Sequence, residues 1–380
     1  MIILDDITII LGVLALVVAA MAPLINVFFR RIPRSSELKA TPELPAISVV
    51  IISNGNAKAL DENLSIFLTQ DYEPGYEVIV VINETDTESE DVLKHYANNP
   101  HLYKTFVPDS SRYMSPYKLA VTLGVKAAKN NWIVLTQANC HPLSDEWLKT
   151  MAIQCNDSNN IVLGFTKYAQ QANSFYRFER LQTSLYLMRE AMTGTAYRTN
   201  GRNIAFRKDE FMRENGYRGN LKYIYGEFDF LVNKYAKDGM TGVVASPDGW
   251  MIEEAPSKTT WHNKYMYYCE TRKHLDRSFM HRFVFNMDQF ALHVSYLLLF
   301  SIGIFGALTD RWILLSTAIL SLLITMSMRI VFMKKAFNLF DEPIAIWKLL
   351  PFEIRIIWNH AGNWLRYIGS DKTDFISHKI

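Results

Sequence analysis

The chain has 380 residues, of which 49% are hydrophobic and 21% are charged. Lys and Arg together number 40 against 38 for Asp and Glu, and the net charge of +2 excludes both an acidic disordered tail and a strongly basic nucleic-acid binder. Its three cysteines, Cys140, Cys155 and Cys269, have no paired spacing, which favours reduced structural thiols over a disulfide framework or a zinc cluster. We therefore expect no nucleic-acid partner.

The first apolar segment runs from Ile7 to Phe29 without a charged residue. About 20 apolar residues span the hydrocarbon core of a bilayer. A secretory signal peptide would have a shorter apolar core with positive charge before it, whereas here Asp5 and Asp6 precede the segment and arginines follow it. The pattern predicts a retained N-terminal transmembrane anchor with a basic flank over residues 1–39.

Two further apolar segments, Phe290–Leu308 and Trp312–Met333, are joined by the short polar sequence Thr309–Arg311. This spacing predicts a transmembrane helical hairpin over residues 287–335. Arg329 lies near the end of the second segment, and we expect its long side chain to extend toward the membrane interface.

Basic residues flank all three predicted spans on one side. They are Arg30, Arg31, Arg34, Lys39, Lys273, Arg277, Arg282, Lys334 and Lys335. Under the positive-inside rule this arrangement puts the N-terminus outside and residues 40–286 in the cytoplasm. We therefore expect a multi-pass protein of the bacterial cytoplasmic (inner) membrane whose main domain is cytoplasmic.

Apolar residues and Trp recur at helical spacing over Ile344–Ile368, interleaved with Lys348, Arg355 and Arg366. Such a helix is typical of the membrane interface, although a helix packed on the cytoplasmic domain is an alternative. We predict an interfacial amphipathic helix and tail over residues 336–380.

Residues 40–286 are numerous enough for one large α/β domain. Three short β-branched segments, Ile47–Ile52, Tyr76–Ile82 and Trp132–Thr136, are typical of buried parallel strands, and helical patterns separate them. This alternation predicts a doubly wound sheet, in which ligands bind beyond the C-terminal ends of the strands. Those ends carry Ser53-Asn54, Asn83-Glu84 and Gln137-Ala138-Asn139.

The order of these segments resembles the family 2 glycosyltransferases with the GT-A fold, including bacterial members with membrane helices on both sides of the domain. The matching segments lie within residues 45–280 and are Pro45–Asn54, Leu68–Tyr72, Tyr76–Val81, Lys118–Ala128, Trp132–Pro142, Gly201–Lys208 and Gly226–Asn233. The resemblance implies a GT-A-like mixed sheet and inverting transfer of a sugar from a nucleotide-sugar donor. It also implies a base-binding carboxylate, an Asp-x-Asp motif for ribose and Mg²⁺ or Mn²⁺, and an acidic catalytic base at the start of a later helix.

The sequence departs from this family pattern at its acidic positions. Asn83 replaces the base-binding Asp, and Gln137-Ala138-Asn139 replaces the Asp-x-Asp motif. Phe228 stands at the usual base position, so catalysis would need Asp229 or Glu227. Residues two apart on a helix do not share a face, which predicts that at most one of the two points into the site, and we favour Asp229. The alternative is that both are helix N-terminal charges without a catalytic role.

Amide side chains are weak ligands for Mg²⁺ and Mn²⁺, so metal binding at Asn139 is doubtful and a weakened metal dependence is expected. Amides still hydrogen-bond a ribose or a base, which keeps Asn83, Gln137 and Asn139 as donor-binding candidates. Positive charge could replace part of the metal. The cationic candidates are Arg112, Lys118 and Arg202 for the donor, and Arg272, Lys273 and His274 for the acceptor or diphosphate, within a segment similar to the family's Gln-x-x-Arg-Trp motif.

Two functions stay open at this point. The first is a membrane-anchored glycosyltransferase that transfers a sugar to a lipid-linked or surface-glycan acceptor. The second is a catalytically inactive pseudo-glycosyltransferase that acts as partner or scaffold in a glycan assembly complex. The expected partners are a nucleotide-sugar, an acceptor at the membrane and a partner glycosyltransferase, and nucleotide binding with and without metal discriminates between the two functions.

Overall fold

The computed structural model describes residues 3–30, 43–109 and 114–376. Arg31, Arg34, Lys39 and Arg112 lie outside these residues. The chain divides into two compact units. The helical unit comprises Met1–Ile32 and Arg277–Gly362, and the α/β unit comprises Pro33–Asp276 and Asn363–Ile380.

The α/β unit contains, within its described residues, a seven-stranded and a three-stranded sheet. The strands are β1 (Ile47–Ile52), β2 (Tyr76–Asn83), β3 (Leu102–Val107), β4 (Trp132–Gln137), β5 (Cys140–Pro142), β6 (Ile161–Gly164), β7 (Thr166–Tyr168), β8 (Ile204–Arg207), β9 (Thr241–Val244) and β10 (Met251–Glu253). The large sheet has the order β3-β2-β1-β4-β8-β6-β9, and the small sheet has the order β5-β10-β7. In the large sheet β8 runs antiparallel to β4 and β6, so the sheet is mixed.

The helices of the described residues extend from the N-terminal span to the amphipathic segment near the C-terminus. They are α1 (Asp6–Met21), α2 (Ala57–Leu68), α3 (Thr87–His95), α4 (Pro116–Ala127), α5 (Trp147–Ala152), α6 (Ser174–Thr193), α7 (Lys208–Arg213), α8 (Glu227–Tyr235), α9 (Lys258–Thr271), α10 (Phe279–Leu308), α11 (Trp312–Leu339) and α12 (Ile346–Ile368). Short 3₁₀ turns lie at Ala22–Leu24, Pro247–Gly249, Arg272–His274 and Lys372–Phe375.

The three predicted strands are confirmed, and each lies within a residue or two of its expected bounds. All six residues of β1 are buried, as expected for a strand covered on both faces. Strand β1 pairs in parallel with β2 and β4, and Ile52 lies opposite both Val81 and Gln137. Because parallel strands end at one edge of the sheet, the polar residues that follow β1, β2 and β4 are brought together there.

Among its described residues, the helical unit contains three helices that are long and apolar enough to cross a membrane, at Asp6–Leu24, Arg282–Leu308 and Trp312–Leu339. They pack through small and branched side chains; the buried members of this contact are Ala15, Leu299, Ile302, Leu314 and Ala318. The last two of these helices are joined by a tight turn: Asp310 adopts a φ of 54°, and the backbone N–H of Arg311 donates to the Gly306 carbonyl oxygen at 2.8 Å.

The N-terminal helix is shorter than its apolar sequence, because α1 ends at Met21 and a single 3₁₀ turn containing Pro23 follows. Proline has no N–H to continue the helical hydrogen bonds. The apolar residues beyond this turn therefore do not extend the helix to Phe29.

The expectation that Arg329 extends toward the interface is wrong, because its side chain is completely buried. Its Nη1 donates to Glu353 Oε1 at 2.8 Å, and its Nη2 donates to the Ala22 carbonyl oxygen at 3.2 Å. Asn26 Nδ2 donates to the same Glu353 oxygen at 2.6 Å. A buried guanidinium is retained where a carboxylate and further hydrogen bonds compensate its charge, and sequence spacing alone did not reveal this partner.

Candidate active site

A row of polar side chains lies beyond the C-terminal ends of β1 and β2. Asn83 Nδ2 donates to Asn54 Oδ1 at 3.3 Å, and Asn54 Nδ2 donates to the Tyr117 hydroxyl at 2.9 Å. Burial raises the pKa of Tyr117, so its hydroxyl keeps its proton at neutral pH. Sequence inspection indicated Asn83 and Asn54, whereas Tyr117 joins them only because α4 packs beside these strands.

Gln137, at the end of β4, connects a cation and a carboxylate. Its Oε1 accepts a hydrogen bond from Arg202 Nε at 2.9 Å, and its Nε2 donates to Glu227 Oε1 at 3.1 Å. The guanidinium of Arg202 also lies over the Phe228 ring, with its central carbon 4.6 Å from the ring centre. An amide suits this position because it accepts from one charged group and donates to the other.

The sequence Gly201-Arg202-Asn203 positions the guanidinium through its neighbours. A side chain on Gly201 would lie 2.5 Å from Thr166 Oγ1, so only glycine fits this close approach. Asn203 is buried and accepts from Trp147 Nε1 at 3.2 Å, which fixes the backbone after Arg202. Burial disfavours the charge of Arg202, but the carboxylates of Glu227 and Glu253 outweigh this effect and raise its pKa.

Helix α8 begins at the site. Gly226 precedes it with a φ of 89°, a left-handed conformation that glycine adopts without strain. Both Glu227 and Asp229 then line one cavity, together with Phe228. The expectation that at most one of the two carboxylates points into the site is therefore wrong, because the cavity extends around the start of α8 and both carboxylates border it.

The carboxylate of Asp229 is largely buried and faces a second arginine. Its Oδ1 lies 3.9 Å from Arg198 Nη1, and the Arg198 guanidinium lies 4.0 Å from the Tyr268 ring centre. Burial raises the pKa of Asp229, and the attraction of Arg198 and Arg202 opposes that shift. A buried carboxylate with a raised pKa is a stronger base than an exposed one, which suits it to accept a proton.

The cavity that these groups line has a volume of about 390 Å³. Four cations and four carboxylates are among its described lining residues, and tyrosines from several elements complete the wall. The charged residues are Arg180, Arg198, Arg202, Lys264, Glu179, Glu227, Asp229 and Glu253. Such a mixed polar and aromatic cavity is typical of a site for a polar ligand.

Sequence analysis missed one ion-pair cluster in this cavity. Arg180 Nη2 donates to Glu253 Oε2 at 2.5 Å, and the Arg180 guanidinium stacks on Tyr168. Lys264 Nζ lies 3.8 Å from Glu253 Oε1, and burial lowers the pKa of this lysine to about 7. Glu253 is the last residue of the short strand β10, which is only weakly recognisable from the sequence. Nothing in the sequence indicates that Glu253 meets Arg180 of α6 and Lys264 of α9.

Four of the predicted cations lie elsewhere in the α/β unit. Lys118 is completely buried, and its Nζ donates to the carbonyl oxygens of Tyr223 and Tyr225. Arg272, Lys273 and His274 form an exposed 3₁₀ turn, in which Lys273 and His274 pair with Glu270. Among the described residues that line the cavity, none of these four occurs.

The chain belongs to glycosyl transferase family 21, whose family model matches residues 8–361. The fold is that of a GT-A-like glycosyltransferase, as the sequence predicted, and the family whose model matches is family 21 rather than the expected family 2. No curated protein matches the chain.

The solved structures that are similar to the chain include the following two. The mannosyltransferase PcManGT from Pyrobaculum calidifontis, in complex with GDP-Man and Mn²⁺, has a TM-score of 0.51 and 16% identity, covering 88% of this chain and 100% of that one. Residues 1–349 of S. aureus TarS, in complex with UDP-GlcNAc, have a TM-score of 0.43 and 13% identity, covering 82% and 92%. At 16% identity, the similarity to PcManGT supports the fold alone.

The donor atoms at the end of β4 do not fit a divalent metal such as Mn²⁺. Gln137 Oε1 already accepts from the Arg202 guanidinium, whose positive charge would repel the ion at this distance. Asn139 offers one further neutral oxygen, and Mg²⁺ and Mn²⁺ prefer carboxylates. Within residues 3–30, 43–109 and 114–376, no group of three His, Cys, Asp or Glu side chains could hold a metal ion.

Proposed function

We propose that this protein is a membrane-anchored, inverting glycosyltransferase that transfers a sugar from a nucleotide-sugar donor to a lipid-linked or surface-glycan acceptor with little dependence on a metal. The observation that carries the proposal is the hydrogen-bonded series Arg202–Gln137–Glu227 at the end of β4, next to Asp229 in the same cavity. It combines a fixed cation with a buried carboxylate. These are the two groups that diphosphate departure and deprotonation of an acceptor require.

The donor's nucleoside is assigned to the polar row of Asn83, Asn54 and Tyr117. These side chains offer both donors and acceptors, which match the edge of a base and the hydroxyls of a ribose. Asn83 lies where the family 2 resemblance has its base-binding position. Gln137 and Asn139 then border the path from the nucleoside to the cavity.

The diphosphate is assigned to Arg202. The Nε of Arg202 donates to Gln137, and its guanidinium lies over the Phe228 ring. These two contacts orient its remaining N–H groups before the ligand binds. A pre-oriented guanidinium recognises phosphate oxygens through paired hydrogen bonds and stabilises the charge that develops on the leaving group. Arg202 thus replaces part of the charge that a metal supplies in other glycosyltransferases.

Asp229 is assigned as the general base, with Glu227 as the second candidate. The acceptor oxygen attacks the anomeric carbon from the face opposite the diphosphate, and its proton passes to the Asp229 carboxylate. The bond between the anomeric carbon and the phosphate oxygen breaks, and its electron pair leaves with the nucleoside diphosphate. A single displacement of this kind inverts the anomeric configuration. Glu227 is less suited because Gln137 already engages its carboxylate.

The membrane assignment rests on the helical unit and on α12. We propose an anchor and basic flank over residues 1–39, a cytoplasmic domain over 40–286, a transmembrane hairpin over 287–335 and an interfacial helix and tail over 336–380, in the bacterial cytoplasmic membrane. On α12, Trp347 and Trp358 are 74% and 67% exposed, as expected for side chains in contact with lipid headgroups. An acceptor embedded in the membrane, and a partner glycosyltransferase that supplies or extends it, are the expected partners.

Calorimetry on the full chain in detergent tests the proposal, with UDP and GDP each added in excess Mn²⁺, excess Mg²⁺ or EDTA. We expect one nucleotide to bind, with its Kd changing by less than about tenfold, or 1.4 kcal/mol, between metal and EDTA. Binding that requires metal would overturn the assignment of Arg202. The absence of nucleotide binding in every buffer would favour the non-catalytic scaffold, which no finding so far supports.

A double variant with Gln137→Asp and Asn139→Asp is the matched test of the metal argument. Two carboxylates at these positions provide hard oxygen ligands, so Mn²⁺ should now strengthen nucleotide binding more than it does in the unmodified chain. Equal metal responses in the two proteins would contradict our account of these amides.

A further inference from the structure

The backbone Tyr223–Gly226 leads directly into the carboxylates of the site, since Glu227 is the next residue. Helix α4 holds this backbone from one side. Lys118 Nζ donates to the carbonyl oxygens of Tyr223 and Tyr225, and Ser115 Oγ donates to the Ile224 carbonyl oxygen. These bonds use carbonyl groups of the segment. The N–H of Tyr223 donates to the nearby Asn220 carbonyl oxygen at 3.4 Å, whereas the N–H of Ile224 has a more distant partner.

That partner comes from the far end of the chain. The backbone N–H of Ile224 donates to the Phe375 carbonyl oxygen at 3.0 Å, and Tyr223 forms an antiparallel bridge with Ile376. We call Asn363–Ile376 the C-terminal segment; it belongs to the α/β unit. The segment before Glu227 is thus held between α4 and the C-terminal segment.

A series of aromatic contacts continues from Phe375 into the site. The Phe375 ring packs edge-on against Tyr267 with centres 5.5 Å apart, and Tyr267 lies 3.9 Å from Tyr225. Tyr225 in turn lies 5.0 Å from Tyr117. Tyr267, Tyr225 and Tyr117 all line the cavity, whereas Phe375 is not among its described lining residues.

The C-terminal segment is itself held on α9. Tyr367 is buried, and its hydroxyl donates to Glu270 Oε2. Its ring lies 5.5 Å from Phe375, and the ammonium of Lys372 lies 3.7 Å from the Tyr367 ring centre. Phe375, Tyr367 and Cys269 form a small buried cluster of their own. Phe375 is therefore held in place by Tyr367 and Cys269, and it contacts in turn Tyr267 and the backbone of Ile224.

We propose that Phe375 is a positioning residue for glycosyl transfer. Acting through the Ile224 backbone and through Tyr267 and Tyr225, it fixes the turn at Gly226 and so the direction in which Glu227 and Asp229 enter the cavity. The inference rests on the proposed function, because only a reacting site needs carboxylates held to a fraction of an ångström. Misplacing catalytic groups by about 1 Å costs on the order of a hundredfold in rate.

The test compares Phe375→Ala, Phe375→Leu and a matched control, Phe106→Ala, which removes an exposed phenylalanine from β3 of the same unit. Each full-length protein is assayed for kcat, donor KM, nucleotide Kd and hydrogen–deuterium exchange in peptides covering Tyr223–Asn233. We expect Phe375→Ala to lower kcat about ten- to a hundredfold, with donor KM and nucleotide Kd within about threefold, and to speed exchange in that peptide. Phe375→Leu retains most of the apolar volume and should restore much of kcat.

Several results would overturn the inference. Unchanged exchange over Tyr223–Asn233 in Phe375→Ala would show that Phe375 does not fix the turn, and faster exchange with an unchanged kcat would show that the turn does not position the reaction. An equal loss in Phe106→Ala, or a general loss of protection in α2, would indicate nonspecific destabilisation instead. An unmodified chain that binds nucleotide but transfers no sugar would overturn the proposed function, and the exchange comparison would then decide separately whether Phe375 fixes the turn.

Discussion

Arg202 Nε donates to Gln137 Oε1 at 2.9 Å, which places a fixed positive charge at the end of β4, where the family resemblance expects a carboxylate. The interaction has two consequences. It satisfies the amide oxygen that would otherwise be a metal ligand, and under the proposed function it orients the guanidinium toward the diphosphate. In that proposal a neutral amide and a cation replace an anionic motif and its metal.

The first prediction concerns this arginine. Arg202→Gln removes the charge, and Arg202→Lys keeps a charge without the planar pair of donors, so both should weaken nucleoside diphosphate binding. Hydrogen bonds to charged groups contribute about 1.5–3 kcal/mol, which corresponds to about a ten- to hundredfold rise in Kd for Arg202→Gln. Calorimetry measures this Kd, and Arg213→Gln, which changes an exposed arginine on α7, is the control. Equal Kd values in Arg202→Gln and the control would remove Arg202 from the donor site.

The second prediction concerns the base. Asp229→Asn cannot accept a proton, so kcat should fall about a hundred- to ten-thousandfold while nucleotide Kd changes little. Because burial raises the pKa of Asp229, activity in the unmodified protein should decline on acidification at a pH above the usual range of an aspartate. Rates measured as a function of pH, from acidic to alkaline buffer, show this loss of activity on acidification, which we call the acidic limb.

The matched controls for Asp229 are Asp61→Asn, an exposed aspartate on α2, and Glu227→Gln in the site. Asp61→Asn should leave kcat and the acidic limb unchanged. If Glu227→Gln loses the acidic limb and Asp229→Asn keeps it, the two carboxylates exchange roles. That result would agree with the proposed reaction and contradict the assignment of its base.

The third prediction concerns Lys118, which we expected to bind the donor. Its ammonium donates to two backbone carbonyls in the interior, so Lys118→Met leaves these carbonyls unpaired and should lower the free energy of unfolding by about 2–4 kcal/mol. Denaturant unfolding measures this loss. A Kd that rises without any loss of stability would support direct donor binding by Lys118 instead.

The same lysine predicts a pH dependence of stability. Burial lowers the pKa of Lys118 from 10.5 to about 8, so between these values the unfolded chain binds more protons than the folded one. The free energy of unfolding contributed by this group therefore rises as pH increases from about 8 to 10.5. When Lys118→Met and the unmodified protein are compared across this pH range, this rise in the free energy of unfolding should occur only in the unmodified protein.

The fourth prediction concerns the buried pair Arg329–Glu353 in the helical unit. Either Arg329→Met or Glu353→Leu leaves a buried charged group without its partner, which should cost about 3–5 kcal/mol. The double variant Arg329→Met with Glu353→Leu removes both charges and should recover much of that loss. Thermal unfolding in detergent gives the double-mutant cycle, with the exposed Lys335→Gln on α11 as control. Additive single losses would show that the two side chains do not interact energetically.

The sequence by itself determined three central strands of the large sheet, the long apolar helices and the class of fold. Continuous β-branched runs such as Ile47–Ile52 have no polar alternation, so they must be buried on both faces, and the parallel α/β sheet follows from that requirement. Uninterrupted apolar runs likewise predicted three membrane spans, and the described residues contain three helices that are long and apolar enough to cross a membrane. The polar residues after β1, β2 and β4 could be placed at one edge, because the ends of parallel strands coincide.

The tertiary structure alone decided which charges meet. Arg198, Glu253 and Lys264 carry no sequence signal as a group, since they come from a loop, a short strand and a helix far apart in the chain. Conversely, Lys118 and Arg272 lie near recognisable motifs, yet one is directed into the interior and the other toward solvent. Periodicity reports burial averaged over an element, whereas the partner of a charged side chain depends on long-range packing. For that reason Gln137 was found from the sequence, but its bond to Arg202 was not.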